Sequence, residues 1–502
     1  MMKKRLLLSL LAIMSIQSAS LAQFRGPAAG FFEGFTNVGE PELEGSVTYS
    51  EPGQSYHIKG SGENIWFGKD SFAFLWKQME GDFIIQAELR FLGAGTDPHR
   101  KAGLMIRSGL DEGAAHVSCV VHGDGLTSLQ YRREAGQDME ELKFETEGPQ
   151  VLQLEKKGSS FTVSVAKEGD LYTRQSLELS LDGSLETGLF VCSHNKDVME
   201  EAVFSNVRVF GTVPDDFRAY GDYIGSLLEV LDVESGARQI VGGDPGSWQA
   251  PNWTPDGKTL IYNSDGLLYN FDLATGRSEV LDTDFANRNN NDHVISFDGT
   301  QMAISHHPEE DDGQSVIYTV PLTGGSPKRV TPLSPSYLHG WSEDDRYLVY
   351  CASRNGQYDV YKIPVEGGEE VQLTDEASLD DGPEYSPDGK YIYFNSARTG
   401  TMQIWRMDPD GKNQTQLTFD EYNDWFAHVS PDGKWLVFIS YPPEIPAGSH
   451  PFYKRVYLRL MSVDDLEPRV IAYLYGGQGS MNVPSWSPDS KKIAFVSNGI
   501  FE

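Results

Sequence analysis

Apolar and polar residues alternate in short runs along most of this chain, which is the two-residue period of a strand with one buried face. DFIIQAELRF, TSLQYRRE and FTVSVAK follow that pattern in the first half, and KYIYFNSA follows it in the second. Hardly any segment sustains the 3.6-residue apolar period of a helix, so the chain reads as nearly all β. Its 51 Gly and 26 Pro are spread along 502 residues instead of clustered, as many turns between short strands require.

The alternation becomes a repeat from about residue 224. A Ser/Thr-Pro-Asp-Gly-like turn recurs at Thr254, Ser296, Ser342, Ser386, Ser430 and Ser487, in steps of 42, 46, 44, 44 and 57 residues. That period, with several short strands per unit, predicts a β-propeller. PEYSPDGKYIYFNSA supplies two strands around one turn, and TMQIWRMDPDGKNQTQLT supplies two more around Asp410-Gly411. The last unit stops after PSWSPDSKKIAFVSN, only two strands, while SLLEVLDVE and ARQIVGG precede the first full unit. Joined, these four strands complete a sixth blade, a 2+2 closure that leaves no exposed edge. The long final step holds the proline-rich insertion YPPEIPAGSHPFYKR (441–455), expected as a surface loop.

Repeats of the form PxWSPDGKxIxFxS…xxIWxMxxDGxxxxQLT resemble the TolB-type propellers built from WD40-like, or PD40, units, over residues 224–502. In residues 24–210, GDFIIQAELRF, KAGLMIRSG and FSNVRVF resemble the concanavalin A-like jelly-roll domains of the DUF1349 type. That resemblance implies a β-sandwich of two antiparallel sheets. GTVPDDFRAYGDY (211–223) reads as the linker between the two domains. The fold class expected is all-β, a jelly-roll sandwich followed by a six-bladed propeller.

The first residues belong to targeting. Lys3, Lys4 and Arg5 precede LLLSLLAIMSI and the small-x-small pattern Ser20-Leu21-Ala22, so residues 1–22 read as a cleavable signal peptide. No later apolar run approaches bilayer length. The expected product is exported, to the periplasm or outside the cell. Loss of the three leader cations deepens the formal charge from -32 to -35. Such a surface repels nucleic acid and anionic lipid; the two family resemblances imply carbohydrate or an envelope protein as the partner. Cys119, Cys192 and Cys351 make no disulfide framework; buried thiols are expected, with a 119–192 bridge as the alternative.

Candidate chemistry lies where the innermost strands line a propeller channel. Three residues before each turn anchor stand Pro251, His293, His339, Pro383, Ala427 and Pro484, and His428 follows one step later in the fifth blade. Asp292, Asp381, Glu384 and Asn482 flank these positions, with Trp425 as an apolar wall. Three imidazoles beside acids suit manganese or zinc, with His293, His339 and His428 as ligands. The same groups, with Asp292 or Asp381, can instead serve as general base. A third reading makes each histidine a hydrogen-bond donor to a neighbouring blade. Arg354 and Arg398 occupy matching turns and either reach an acidic ligand or pair with local acids. His306-His307 reads as a pair of surface histidines on a solvated loop. In the first domain Arg107, Arg132, Trp66 and Trp76 suggest a sugar-binding face or part of the core. No Gly-x-Ser-x-Gly elbow, P-loop or dinucleotide fingerprint occurs.

Two functions remain in view. The TolB-like resemblance implies an exported binding platform. Oligogalacturonate lyases share that propeller type and hold a metal through histidines at the channel mouth, which implies a metal-assisted lyase or hydrolase of polysaccharide fragments.

Overall fold

The computed structural model describes residues 22–24, 29–219 and 221–501. The proposed leader, apart from Ala22, lies outside the described residues. Apart from one short 3-10 helix, Glu309–Asp311, all the regular structure described is strand. No helix among the described residues is long and apolar enough to cross a membrane.

Residues up to Gly211 form two antiparallel sheets of eight and seven strands. Val47, Ile58 and Leu154 from one sheet meet Leu75, Leu104 and Leu189 from the other in a single apolar cluster. Strand alternation sends Cys119 into that cluster and Cys192 to the opposite face of its sheet, beside Phe72 and Phe190. The two thiols therefore cannot bridge, and all three cysteines are free and buried. The arginines expected on a sugar-binding face are buried too. Arg132 grips both oxygens of Asp70, at 2.7 and 2.6 Å, and Arg107 donates to the Asp111 carbonyl at 2.6 Å.

The second half is a six-bladed propeller with five four-stranded sheets and one closing sheet. The closing strand Lys492–Gly499 pairs with Gly225–Asp232, which pairs with Arg238–Asp244. The expected fourth strand of this blade shrinks to a single bridge, Trp486 to Ile493. Pro484 lacks a donor for the ladder, and the Ser485 hydroxyl turns away to the Pro251 carbonyl at 3.1 Å.

The repeated turn works the same way in every blade. Each anchor hydroxyl, from Thr254 to Ser487, donates to the aspartate two residues later at 2.6–2.8 Å. The serine or threonine thereby fastens a turn completed in a left-handed conformation by glycine in four blades, Asp345 in the third and Ser490 in the last. The tryptophan before the anchor ties blades together. Trp341 Nε1 donates to the Val294 carbonyl at 2.8 Å, and Trp486 Nε1 to that of His428 at 3.0 Å.

The linker expected at 211–223 is packed against both halves. Gly211 and Ile500 exchange backbone hydrogen bonds at 2.8 and 2.9 Å, and Val213, Phe217 and Ala219 pack on Ile84, Phe210, Tyr453 and Tyr475. Beside this seam Glu229 is buried between Arg208 of the first half and Arg238 of the propeller, 2.6 and 3.0 Å away. The two guanidinium charges outweigh burial and hold the Glu229 carboxyl down at about 2. A buried ion triad and an apolar seam thus join the two halves.

Candidate functional site

Five inner strands end at one mouth of the propeller, and each carries a register shift there. The ladder skips between Gln249 and Asn252, Asn289 and His293, Leu338 and Gly340, Asp381 and Glu384, and Trp425 and His428. Such bulges re-aim side chains. Ala250, Gly382 and Phe426 lie at equivalent positions, four before the anchor, and all three take positive φ, 53°, 61° and 56°. Strain at two residues with a Cβ is retained where the bulge has to hold a particular shape.

The bulges open into a cavity of about 520 Å³ at this mouth. Asn291, Tyr337, Asp381 and Asn482, each five residues before an anchor, supply one side chain from each of four blades. Asp292, Phe426, His339, Tyr358 and Cys351 complete the wall. The insertion keeps Pro443, Glu444 and Pro446 exposed, as expected of a surface loop, yet brings His450 into the cavity. His450 Nδ1 donates to Gln478 Oε1 at 2.6 Å, and its ring lies 4.4 Å from that of Trp425 and 5.3 Å from that of Phe426. Gln478 in turn accepts from Asn482 at 3.0 Å and donates to Asn291 at 3.4 Å. His307 also lines the cavity, its Nδ1 donating to the Gly313 carbonyl at 2.9 Å, and His306 is buried; neither is the surface histidine expected.

The three histidines expected to share a metal part company. In the second blade the register skips residues 290–292, which returns His293 to the ladder; its Nε2 donates to the Ile261 carbonyl of the first blade at 3.1 Å. His428 Nδ1 donates to Glu384 Oε2 at 2.5 Å, and Glu384 Oε1 accepts from the Val429 amide at 2.9 Å. Only in the third blade does the skipped residue coincide with the histidine, so His339 alone reaches the cavity. Among the described residues no three His, Cys, Asp or Glu side chains are set to hold a metal ion. His293, His339 and His428 form no such group.

Other expected site residues are structural. Arg354 is paired with Glu370 at 2.7 and 2.9 Å, and Arg398 with Asp380 at 2.7 Å. Trp425 is fully buried behind His450, and Glu384 is committed to the fifth blade. Asn482 and Asp381 do line the cavity.

The electrostatics there are uneven. His339 Nε2 lies 3.1 Å from Asp381 Oδ1. Burial works against charge on both, yet the hydrogen bond and mutual attraction win, so His339 is raised and Asp381 lowered from their ordinary values. Asp292 behaves oppositely. Burial, reinforced by Asp381 and opposed by His339, pushes it up to about 6, with Asn290 Nδ2 donating to it at 2.8 Å. Burial also lowers His450 and takes His293 down to about 4.

The family described as TolB beta propeller domain matches residues 333–445. An uncharacterized protein of Agrobacterium fabrum is 44% identical over 277 residues, which span 55% of this chain and 93% of that protein. A solved structure of a candidate TolB from Agrobacterium tumefaciens is similar at 44% identity and a TM-score of 0.53, covering 55% of this chain and 99% of that one. TolB from Acinetobacter baumannii is similar at 18% identity and a TM-score of 0.41, over 65% of this chain and 79% of that one.

Proposed function

Since the chain belongs to the TolB-like PD40 β-propeller family, we propose that it is an exported envelope binding protein that holds a carbohydrate-sized ligand in the propeller mouth. The observation that carries this reading is the cavity itself. At about 520 Å³ it falls within the usual range for small-molecule sites, and it converges polar groups from separate blades on aromatic rings. Asn291, Asn482, Asp381 and Asp292 offer donors and acceptors suited to hydroxyl groups, while Tyr337, Tyr358 and Phe426 offer ring faces suited to sugar C–H surfaces. Export rests on the leader-like residues 1–22. The N-terminal sheets enter the proposal as a concanavalin A-like jelly roll, a second glycan-recognising module. A glycan array probed with wild type and with Tyr337→Ala tests the reading. Glycans retained by the first and lost by the second support it; identical profiles remove the mouth from the binding site.

An enzymatic reading has one observation in its favour. Asp292, at about 6, and the raised His339 share one cavity, and an acid and a base held in different states are what proton-transfer catalysis of glycoside cleavage needs. Release of new reducing ends from an array-positive glycan, abolished by His339→Gln, supports turnover; a glycan bound and recovered intact supports binding alone.

A further inference from the structure

The charges facing the cavity are not balanced. Two carboxylates, Asp292 and Asp381, line it, and no lysine or arginine is among its lining residues. The guanidiniums on adjoining turns are already occupied, Arg354 by Glu370 and Arg398 by Asp380. Asp381 has His339 as its partner, whereas the side-chain donor to Asp292 is the neutral amide of Asn290. A buried carboxylate without a bonded cation is costly, and the protein retains one here on a wall shared with ligand-facing amides. Tyr337 and Tyr358 stand beside it with ring centroids 6.3 Å apart, and the faces of such rings attract cations.

Resting on the ligand-cavity reading above, we propose that the ligand carries a primary amine on a sugar-like ring, its ammonium seated between Asp292 and Asp381 beside the rings of Tyr337 and Tyr358. The His339 imidazole attracts both carboxylates but is bonded to Asp381, so the ammonium supplies a second cation for the two acids. The ring hydroxyls meet Asn291, Asn482 and Gln478, which already form one hydrogen-bonded chain. A uronate ring in the same place meets two carboxylates and a His339 imidazole already bonded to one of them, so like charges disfavour it. The groups facing Asp292 are Asp381, His339, His307, His450, Tyr337, Tyr358 and Cys351. Seating a cation among them favours ionised Asp292 and neutral His339, so binding releases protons and weakens as pH falls through 6.

Isothermal titration of the full chain with D-glucosamine, D-glucose and D-glucuronate tests this, because one ring is presented with positive, zero and negative charge. Glucosamine is expected to bind at least about tenfold tighter than glucose, and glucuronate more weakly than either. Asp292→Asn should level glucosamine with glucose while the variant melts no lower than wild type. Titrations near pH 6 in buffers of different ionisation heat should show net proton release. Equal or tighter binding of glucose or glucuronate, abolished by Tyr337→Ala, overturns the amine assignment and leaves the cavity as a sugar site. Heat from none of the three overturns both readings.

Discussion

The imidazole of His339 in the third blade lies with Nε2 3.1 Å from Oδ1 of Asp381 in the fourth, and Asp381 Oδ1 also accepts the Gly382 amide at 2.7 Å. One carboxylate thus fixes an imidazole across a blade boundary and supports the bulge beneath it.

That pair has a pH window. The raised imidazole contributes stability fully below its unfolded value of about 6.5, and the contribution is lost as pH rises through the folded value. The lowered Asp381 contributes above its unfolded value of about 3.9 and loses it as pH falls through the folded value. Asp381→Asn removes both terms. The His339 imidazole, followed by NMR titration, should then titrate lower than in wild type, because burial is opposed only by the weaker attraction of Asp292 and Glu384. An unchanged titration would show that Asp381 does not hold the proton.

Asp292 works in the reverse direction. Its folded value of about 6 exceeds the unfolded one, so the native state binds the extra proton and loses stability as pH rises from about 4 to 6. The displacement corresponds to roughly 3 kcal/mol at most at neutral pH. Asp292→Asn should therefore raise Tm at pH 7 and leave it nearly unchanged at pH 4, while the preference for the amine-bearing ligand is lost. A residue whose removal stabilises the fold but erases a ligand preference is held for function.

His293 should behave as a blade tie. Its imidazole, buried and held near 4, is neutral in the fold and charged in the unfolded chain below about 6.5, so it costs stability progressively as pH falls through that range. His293→Gln should lower Tm at pH 7 by losing the bond to the Ile261 carbonyl, about 1 kcal/mol, and flatten the acid limb of the stability curve. Ligand affinity should not move. A large affinity loss at unchanged Tm would place His293 in the site.

Glu229 tests the junction. Glu229→Ala leaves Arg208 and Arg238 buried and unpaired, a change that costs about 3–5 kcal/mol. Calorimetry should show a clear fall in Tm and separation of one cooperative transition into two. A single transition at the wild-type temperature would mean the seam does not couple the halves.

Much of the architecture could be read before any coordinates. The steps between Thr254, Ser296, Ser342, Ser386 and Ser430 predict blades, and the hydroxyl-to-aspartate bond that makes each turn joins residues two apart. Pairing of Arg354 and Arg398 with acids was one of two open readings because composition alone supplies acids everywhere. The ligand-facing ring was harder. Counting three residues back from each anchor assumes a regular ladder, but the ladder skips that very position in the first, third, fourth and fifth blades and ends its skip just before it in the second.

By itself, the sequence determined the all-β class, the six repeats and the chemistry of their turns, because strand alternation and turn formation depend on neighbours a few residues apart. Tertiary structure alone decided that His339 faces the mouth while His293 and His428 do not, that His450 arrives from an insertion, and that Glu229 locks two halves together. Bulge register, inward folding of an insertion and burial of a charge are set by contacts between residues distant in the chain, and no local pattern records them.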